Sequence, residues 1–276
     1  MTDLFARPVE EIVAEAISTF KPVRIYAGFS GGNDSLALCH WMMANVPGCE
    51  LFHIITGIGV RATSDFARDT AARYGWPLTV IRSLEDCGED YDAWVRKHGF
   101  PGPHMHNQMF NRLKGRAVEL LVRRAKTKWM DKILLATGVR EDESIRRMGY
   151  KGREINRRGA QVWVSPIYWW PTWQRDQYLM ENQIRRNPVT AQLGISGECL
   201  CGAFAHPGEL ERVRAIDPEV AARIDGLHEE IKHRFPWGWE GSPPRSDKRP
   251  RREPGPLCIG CEKSAVVQAE LAESAL

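Results

Sequence analysis

No stretch of this sequence approaches the roughly 18 consecutive apolar residues that a membrane-spanning helix needs. The N-terminus, Met1-Thr2-Asp3-Leu4-Phe5-Ala6-Arg7-Pro8, also lacks the basic-then-apolar pattern of a secretory signal. These two absences lead to the expectation of a cytoplasmic protein with no membrane partner. In that compartment the seven cysteines are not expected to pair as disulfides. Charge of one sign is lacking too. A net charge of +3 over 276 residues does not by itself identify a nucleic-acid binder. Two common phosphate-binding signatures are missing: no Gly-Lys-Ser/Thr closes a glycine-rich loop, and Gly-x-Gly-x-x-Gly does not occur. No internal repeat is found. An apolar fraction of 43% is ordinary for a globular protein. The length suffices for one good core, or for a main domain with an appendage.

What is present begins with Tyr26-Ala27-Gly28-Phe29-Ser30-Gly31-Gly32-Asn33-Asp34-Ser35. A short β-leaning run, Val23 to Ala27, leads into it. Leu36, Leu38, Cys39, Met42 and Met43 follow at helical spacing. The segment therefore reads as strand, glycine turn, helix. Gly31 and Gly32 allow close backbone approach, Ser30, Asn33, Asp34 and Ser35 supply caps and hydroxyls, and the free N–H groups of a helix start favour an anion, usually phosphate. The segment resembles the Ser-Gly-Gly-x-Asp-Ser loop of the PP-loop ATP pyrophosphatases. Members of that superfamily cleave ATP between the α and β phosphates, usually adenylating a substrate.

Along the chain, helical patterns at 8–20, 65–74, 90–98 and 109–125 alternate with strand patterns at 51–56, 78–81 and 132–137. That alternation implies right-handed crossovers and an α/β fold, a doubly wound, mostly parallel sheet. Beyond about residue 140 the alternation fails. One further strand is expected at 161–165 and helices near 172–186, 207–215 and 218–234, with a short helix after Glu262. Pro236 to Pro256 is rich in Pro, Gly and Arg and reads as exposed loop. The expected organisation is a nucleotide-binding domain at 1–186 and a helical C-terminal segment at 187–276.

Gly138-Val139-Arg140-Glu141-Asp142-Glu143-Ser144-Ile145-Arg146-Arg147 follows the 132–137 strand. In a doubly wound sheet the strand carboxyl ends share the ligand cleft, where an arginine can neutralise phosphate bidentately; an arginine on a solvated helix face is the plainer reading. The segment resembles the Gly-x-Arg-x-x-Glu-Ser-x-x-Arg signature of phosphoadenosine phosphosulfate (PAPS) reductase-like and ATP sulfurylase small-subunit proteins. Thr56-Gly57, Leu113-Lys114 and Ser165-Pro166-Ile167 with Trp170 are similar to further elements of that branch, although Ile55 stands where the branch has an acid. The resemblance covers about residues 23–180. It implies an adenine nucleotide α-hydrolase-like fold that binds ATP through Ser30, Gly31, Gly32, Asn33, Asp34, Ser35, Thr56, Gly57, Gly138, Arg140, Ser144 and Arg147. Asp34, Arg140 and Lys114 would be catalytic, and Mg²⁺ would bridge the phosphates, with Asp34 a ligand directly or through water.

Cys199-Leu200-Cys201 and Cys258-Ile259-Gly260-Cys261 form two close pairs across a long insertion. Such pairs suit four-thiolate coordination, with Gly197, Gly202 and Gly260 easing the turns. A [4Fe–4S] cluster is favoured and zinc is second; four thiols meeting by chance is the remaining reading. Some PAPS-like reductases and the ATP pyrophosphatases of DNA phosphorothioation resemble this arrangement, though here the first pair is Cys-x-Cys and follows the arginine motif. Cys39 and Cys49 read as core residues. Trp163, Trp169, Trp170, Trp173, Trp237 and Trp239 are core residues or base-stacking platforms. His104 and His106 sit in a loop that would line the substrate side.

The expected activity is α–β cleavage of ATP that activates an oxygen for replacement by sulfur. The partners would be an adenine nucleotide, a nucleic-acid substrate and a sulfur donor such as a cysteine desulfurase. The alternatives are sulfonucleotide reduction, against which stands a C-terminus, Ala272-Glu273-Ser274-Ala275-Leu276, without cysteine or histidine, and a non-catalytic nucleotide- or nucleic-acid-binding module. Neither the sulfur acceptor nor the oligomeric state is legible.

Overall fold

The structure is a computed structural model that describes residues 6–141, 154–241 and 243. Ser144, Arg147, Cys258 and Cys261, the basic loop beyond Pro243 and the expected helix after Glu262 lie outside the described residues. Among the described residues no helix is long and apolar enough to cross a membrane.

Among the described residues six strands form one sheet: β1 (Arg24–Gly28), β2 (Cys49–Ile55), β3 (Leu78–Arg82), β4 (Ile133–Ala136), β5 (Ile155–Arg158) and β6 (Gln161–Val164), in the order β3-β2-β1-β4-β6-β5. β1 pairs in parallel with β2 and β4, and β4 with β6; β5 runs antiparallel at the edge. The fold is thus α/β with a mostly parallel sheet. β4 reads Ile-Leu-Leu-Ala and is buried at all four positions, as a strand covered on both faces must be. The helices are α1 (Val9–Phe20), α2 (Asn33–Asn45), α3 (Arg61–Tyr74), α4 (Ser83–Cys87), α5 (Tyr91–His98), α6 (His106–Phe110), α7 (Arg116–Ala125), α8 (Thr172–Glu181), α9 (Pro188–Leu193), α10 (Glu209–Ile216) and α11 (Pro218–Ile231). A π-helical turn, Asn111–Gly115, joins α6 to α7. The expected 109–125 helix is therefore one continuous path with a widened turn in it. α4, α6, α9 and β5 are elements that the sequence pattern did not announce.

The chain divides into two compact units. The first comprises 1–53, 66–80 and 118–187; the second takes 54–65, 81–117 and 188–276. The first unit's core packs α1 through Ile12, Val13 and Ala16 and α2 through Leu36, Leu38 and Met42 with Ala27 of β1, Leu134 of β4 and Val162 of β6. Cys39 and Cys49 are buried there, so both are core thiols; burial pushes the Cys49 thiol up to about 12. Trp163 is buried in this unit as well, whereas Trp173 is 64% exposed. The second unit has its own core of Ile58, Trp94, Phe100, Leu113, Ile224 and Leu227. Trp239 is buried in it and donates to the Leu200 carbonyl at 2.8 Å, which makes it a packing residue.

Candidate functional site

In the first unit β1 has β2 on one side and β4 on the other, so the sheet's direction of winding reverses at β1. A ligand cleft of an open α/β sheet forms at the strand carboxyl ends at such a point. The chain leaving β1 there turns through Gly31, whose φ of +77° is a left-handed conformation that side chains resist, and enters α2 at Asn33. No side chain caps the start of α2, and its first N–H groups have no intrahelical acceptor. The hydroxyls face inward on the loop. Ser30 N and Oγ both donate to Ser35 Oγ, at 3.2 and 3.0 Å, and Ser35 Oγ donates to the Gly32 carbonyl at 2.9 Å. Asn187 Nδ2 fixes the Gly31 carbonyl at 3.1 Å. Asn33 Oδ1 is buried with no hydrogen-bond partner. The amide oxygen is an acceptor in need of a donor, while the uncapped helix start beside it supplies N–H donors that suit an anion.

The neighbouring strand comes in close. A Cβ on Gly138, just after β4, would stand 2.8 Å from the Asp34 carbonyl carbon and from Ser35 N, so only glycine lets the segment after β4 lie against the start of α2. Two residues on, Arg140 is 2% exposed. Its Nε donates to Asp34 Oδ1 at 2.8 Å, Nη1 to the Trp170 carbonyl at 2.9 Å and Nη2 to Thr172 Oγ1 at 3.4 Å. Arg175 of α8 donates to the same Asp34 oxygen at 2.7 Å and also holds Asp176. Burial works against the Arg175 charge, and the Asp34 and Asp176 carboxylates more than offset it, leaving the guanidinium's pKa raised. Two guanidiniums, one buried and one partly buried, thus converge on one carboxylate at the loop. Asp34 Oδ1 anchors both of them. Arg175, Thr172 and Asn187 carried no signal in the sequence, because their place at the loop depends on α8 and the following turn.

The second unit gathers the other expected residues. The segment Ser196–Leu200 is strapped along residues 56–63. Thr56 Oγ1 donates to the Glu198 carbonyl at 2.9 Å, Thr63 Oγ1 to that of Ser196 at 2.6 Å, Val60 N to that of Gly197 at 2.8 Å, and Leu200 N to that of Ile58 at 2.6 Å. Gly59 has no space for a Cβ against the Glu198 carbonyl. Gly197 and Gly202, at φ +69° and +86°, bend the chain on either side of the two cysteines. Lys114, on the π-helical turn, is buried and pairs with Glu198 at 2.8 Å. Thr56, Gly57, Lys114, Cys199 and Cys201 are therefore residues of one structural neighbourhood. Cys201 donates a hydrogen bond to the Cys199 sulfur. That bond, aided by the Lys114 charge and opposed by burial and by Glu198, brings the Cys199 thiol down to about 7. A thiol so near ionisation is a ready soft-metal ligand. Among the described residues no three His, Cys, Asp or Glu side chains gather as around a metal ion; the second cysteine pair lies outside them. His106 is buried in α6 against Phe204, ring centroids 4.6 Å apart, rather than in an open loop.

The family model of the phosphoadenosine phosphosulfate reductase domain matches residues 24–196. Among solved structures, the chain is similar to the phosphoadenylyl-sulfate (PAPS) reductase from Candida auris, solved as a phosphate complex. The two share 19% identity over 68% of this chain and 86% of that one, with a TM-score of 0.50, a likeness of fold. A looser likeness, 13% identity over 94% and 88% of the two chains with a TM-score of 0.34, joins it to the U34-tRNA thiolase NcsA from Methanococcus maripaludis with its [4Fe-4S] cluster. No curated protein matches the sequence.

Proposed function

The chain belongs to the phosphoadenosine phosphosulfate reductase family, and from that premise we propose that it binds ATP at Ser30–Ser35 and cleaves it to AMP and pyrophosphate, activating a substrate for sulfur transfer. The observation that carries the reading is the convergence of the uncapped start of α2 and the Arg140–Asp34–Arg175 clamp on one loop. Charge builds on the departing pyrophosphate, and fixed backbone donors and guanidiniums stabilise it without reorganising. An acceptor oxygen attacks the α-phosphorus and the bond to the β-phosphate oxygen breaks, giving an adenylated acceptor and pyrophosphate. A sulfur nucleophile then displaces AMP, which leaves with the acceptor oxygen. In this reading Asp34 holds the two arginines in place and would help to hold Mg²⁺ directly or through water, and the ion would supply charge neutralisation at the phosphates. Ser144 and Arg147, outside the described residues, are assigned to the nucleotide by the family resemblance alone. Thr56 and Gly57 remain assigned to the nucleotide and Lys114 to catalysis by the family resemblance, and all three share a neighbourhood with Cys199 and Cys201.

Cys199 and Cys201, with Cys258 and Cys261, are the ligands we assign to a [4Fe–4S] cluster, zinc being the alternative. The cluster would hold sulfide or electrons when present, or brace the chain end. The reading is tested by incubating anaerobically prepared protein with ATP, Mg²⁺ and candidate acceptors and assaying pyrophosphate. Pyrophosphate release that is lost in Ser35→Ala supports it. Thioredoxin-dependent sulfite release from a sulfonucleotide, without pyrophosphate, would replace it with the reductase reading. Nucleotide binding without turnover would leave a binding module.

A further inference from the structure

The loop between α7 and β4 and the tip of the β5–β6 hairpin enclose an open cleft of about 390 Å³ within the first unit. It lies at the amino ends of β4 and β6, whereas Gly138 follows the carboxyl end of β4, so the cleft is separate from the Ser30–Ser35 loop and does not rest on the nucleotide reading. Arg123, Lys126, Lys128 and Arg158 line it, against a single carboxylate, Glu119. Trp129 stands at its wall 84% exposed, and Met130 beside it is 65% exposed.

Leaving a tryptophan in water forgoes the burial of on the order of 150–250 Å², and here the loop that does so is braced. Asp131 Oδ2 accepts from Thr127 N at 2.8 Å, Lys128 N at 2.7 Å and Thr127 Oγ1 at 2.9 Å. Lys126 N continues the α7 ladder to the Val122 carbonyl. The indole is thus presented by a closed turn, with the backbone of Lys126 and Lys128 held beside it.

We propose that this cleft binds a single-stranded segment of nucleic acid, with Trp129 stacking one base and Arg123, Lys126, Lys128 and Arg158 following its phosphates. A cationic groove with an aromatic platform is the chemistry of single-strand binding. The cavity is near the small end of ligand pockets, roughly 300–1,000 Å³, a size for one base rather than a protein surface. The apolar pair flanks a concavity and is not the face of an amphipathic helix, which separates it from an interfacial membrane anchor. Guanidiniums from α7 and from the β5–β6 hairpin offer forked donors to phosphate oxygens.

The test is fluorescence anisotropy of labelled single-stranded RNA and DNA oligonucleotides of about 16 nucleotides with the full chain. Binding should weaken with salt. Trp129→Ala should weaken it about tenfold or more, in line with the known cost of losing one stacked base, while Trp129→Phe retains most of it. Lys126→Ala with Lys128→Ala should flatten the log–log salt slope by about 1.4, at roughly 0.7 per single-strand phosphate contact. Unchanged melting temperatures confirm that these exposed substitutions leave the fold alone; if Trp129→Ala melts early, the comparison of Trp129→Phe with the double lysine variant decides. The proposal is overturned if neither oligonucleotide binds at low salt, or if all variants bind like wild type. It is equally overturned if the same substitutions abolish binding to phosphatidylserine vesicles while oligonucleotides do not bind.

Discussion

Asp34 shows how one side chain changes meaning once its neighbours are known. In sequence it is an acid in a phosphate loop; in the fold its Oδ1 receives Arg140 and Arg175. The two arginines are not equivalent. Arg140 is 2% exposed and all three of its nitrogens donate to protein acceptors, so Arg140→Ala empties a buried site and unpairs the Trp170 carbonyl while Arg175 keeps Asp34 paired, and should cost on the order of 2–5 kcal/mol of stability. Arg175→Ala leaves Arg140 on Asp34 and should cost about 1.5–3 kcal/mol while still weakening ATP. Urea melts and calorimetry on both variants check this; equal stabilities would show that the carboxylate does not discriminate between them. Gly138→Ala is the sharper change, because the new methyl would press on backbone, not on a movable side chain. Overpacking of that kind costs about 1–3 kcal/mol and pushes the start of α2 away from Ser30. A Gly138→Ala protein with wild-type ATP affinity would show that the segment after β4 has no part in shaping the loop.

Among the elements, the strap between residues 56–63 and 196–200 places Lys114 and Glu198 beside the cysteines. Lys114→Met should destabilise by about 3–5 kcal/mol, since Glu198 keeps a buried charge without its ion-pair partner; Lys114→Met with Glu198→Leu should recover most of the loss. Thermal melts of the single and double variants measure the difference, and an unrecovered double variant would mean that the pair does more than balance charge. The elements legible in sequence were those with a strong period or a sharp boundary: α1 with Ile12, Val13 and Ala16 inward, β1 ending in its glycine turn, and β4 as an unbroken apolar run. β5 was not legible because Ile155-Asn156-Arg157-Arg158 has no alternation; it is an edge strand that exists by pairing with β6. α4, α6 and α9 are five or six residues long, too short for a period to show. The π-helical turn at Lys114 leaves no mark either, since a widened turn differs from an α-helix by one residue of register. The loop motif was legible because backbone conformation dictated its residues; Arg175 and Asn187 were not, because only tertiary contact gives them a role.

At the scale of the whole chain, two units with separate cores divide the expected chemistry between them: the phosphate loop and its arginines in the first, Thr56, Lys114, Cys199 and Cys201 in the second. That division yields a prediction about metal removal. A ligand that binds only the folded form stabilises it by mass action, and it stabilises the structure that holds its ligands. Cys199 and Cys201 are fixed to the second unit through Tyr91 Oη on the Cys201 carbonyl at 3.0 Å, Trp239 on that of Leu200, and the strap to Ile58. If these thiols carry a cluster with Cys258 and Cys261, chelation or Cys201→Ser should lower amide protection in α5, α10 and α11, whose apolar residues form that core. Protection in β1, β4 and α2 should stay at its original level. Hydrogen exchange read by mass spectrometry on matched metal-loaded and metal-free protein makes the comparison directly. Equal losses in both units would deny the second unit its separate stability. No loss in either, with all four thiols alkylated in the native protein, would remove the metal centre from the second unit.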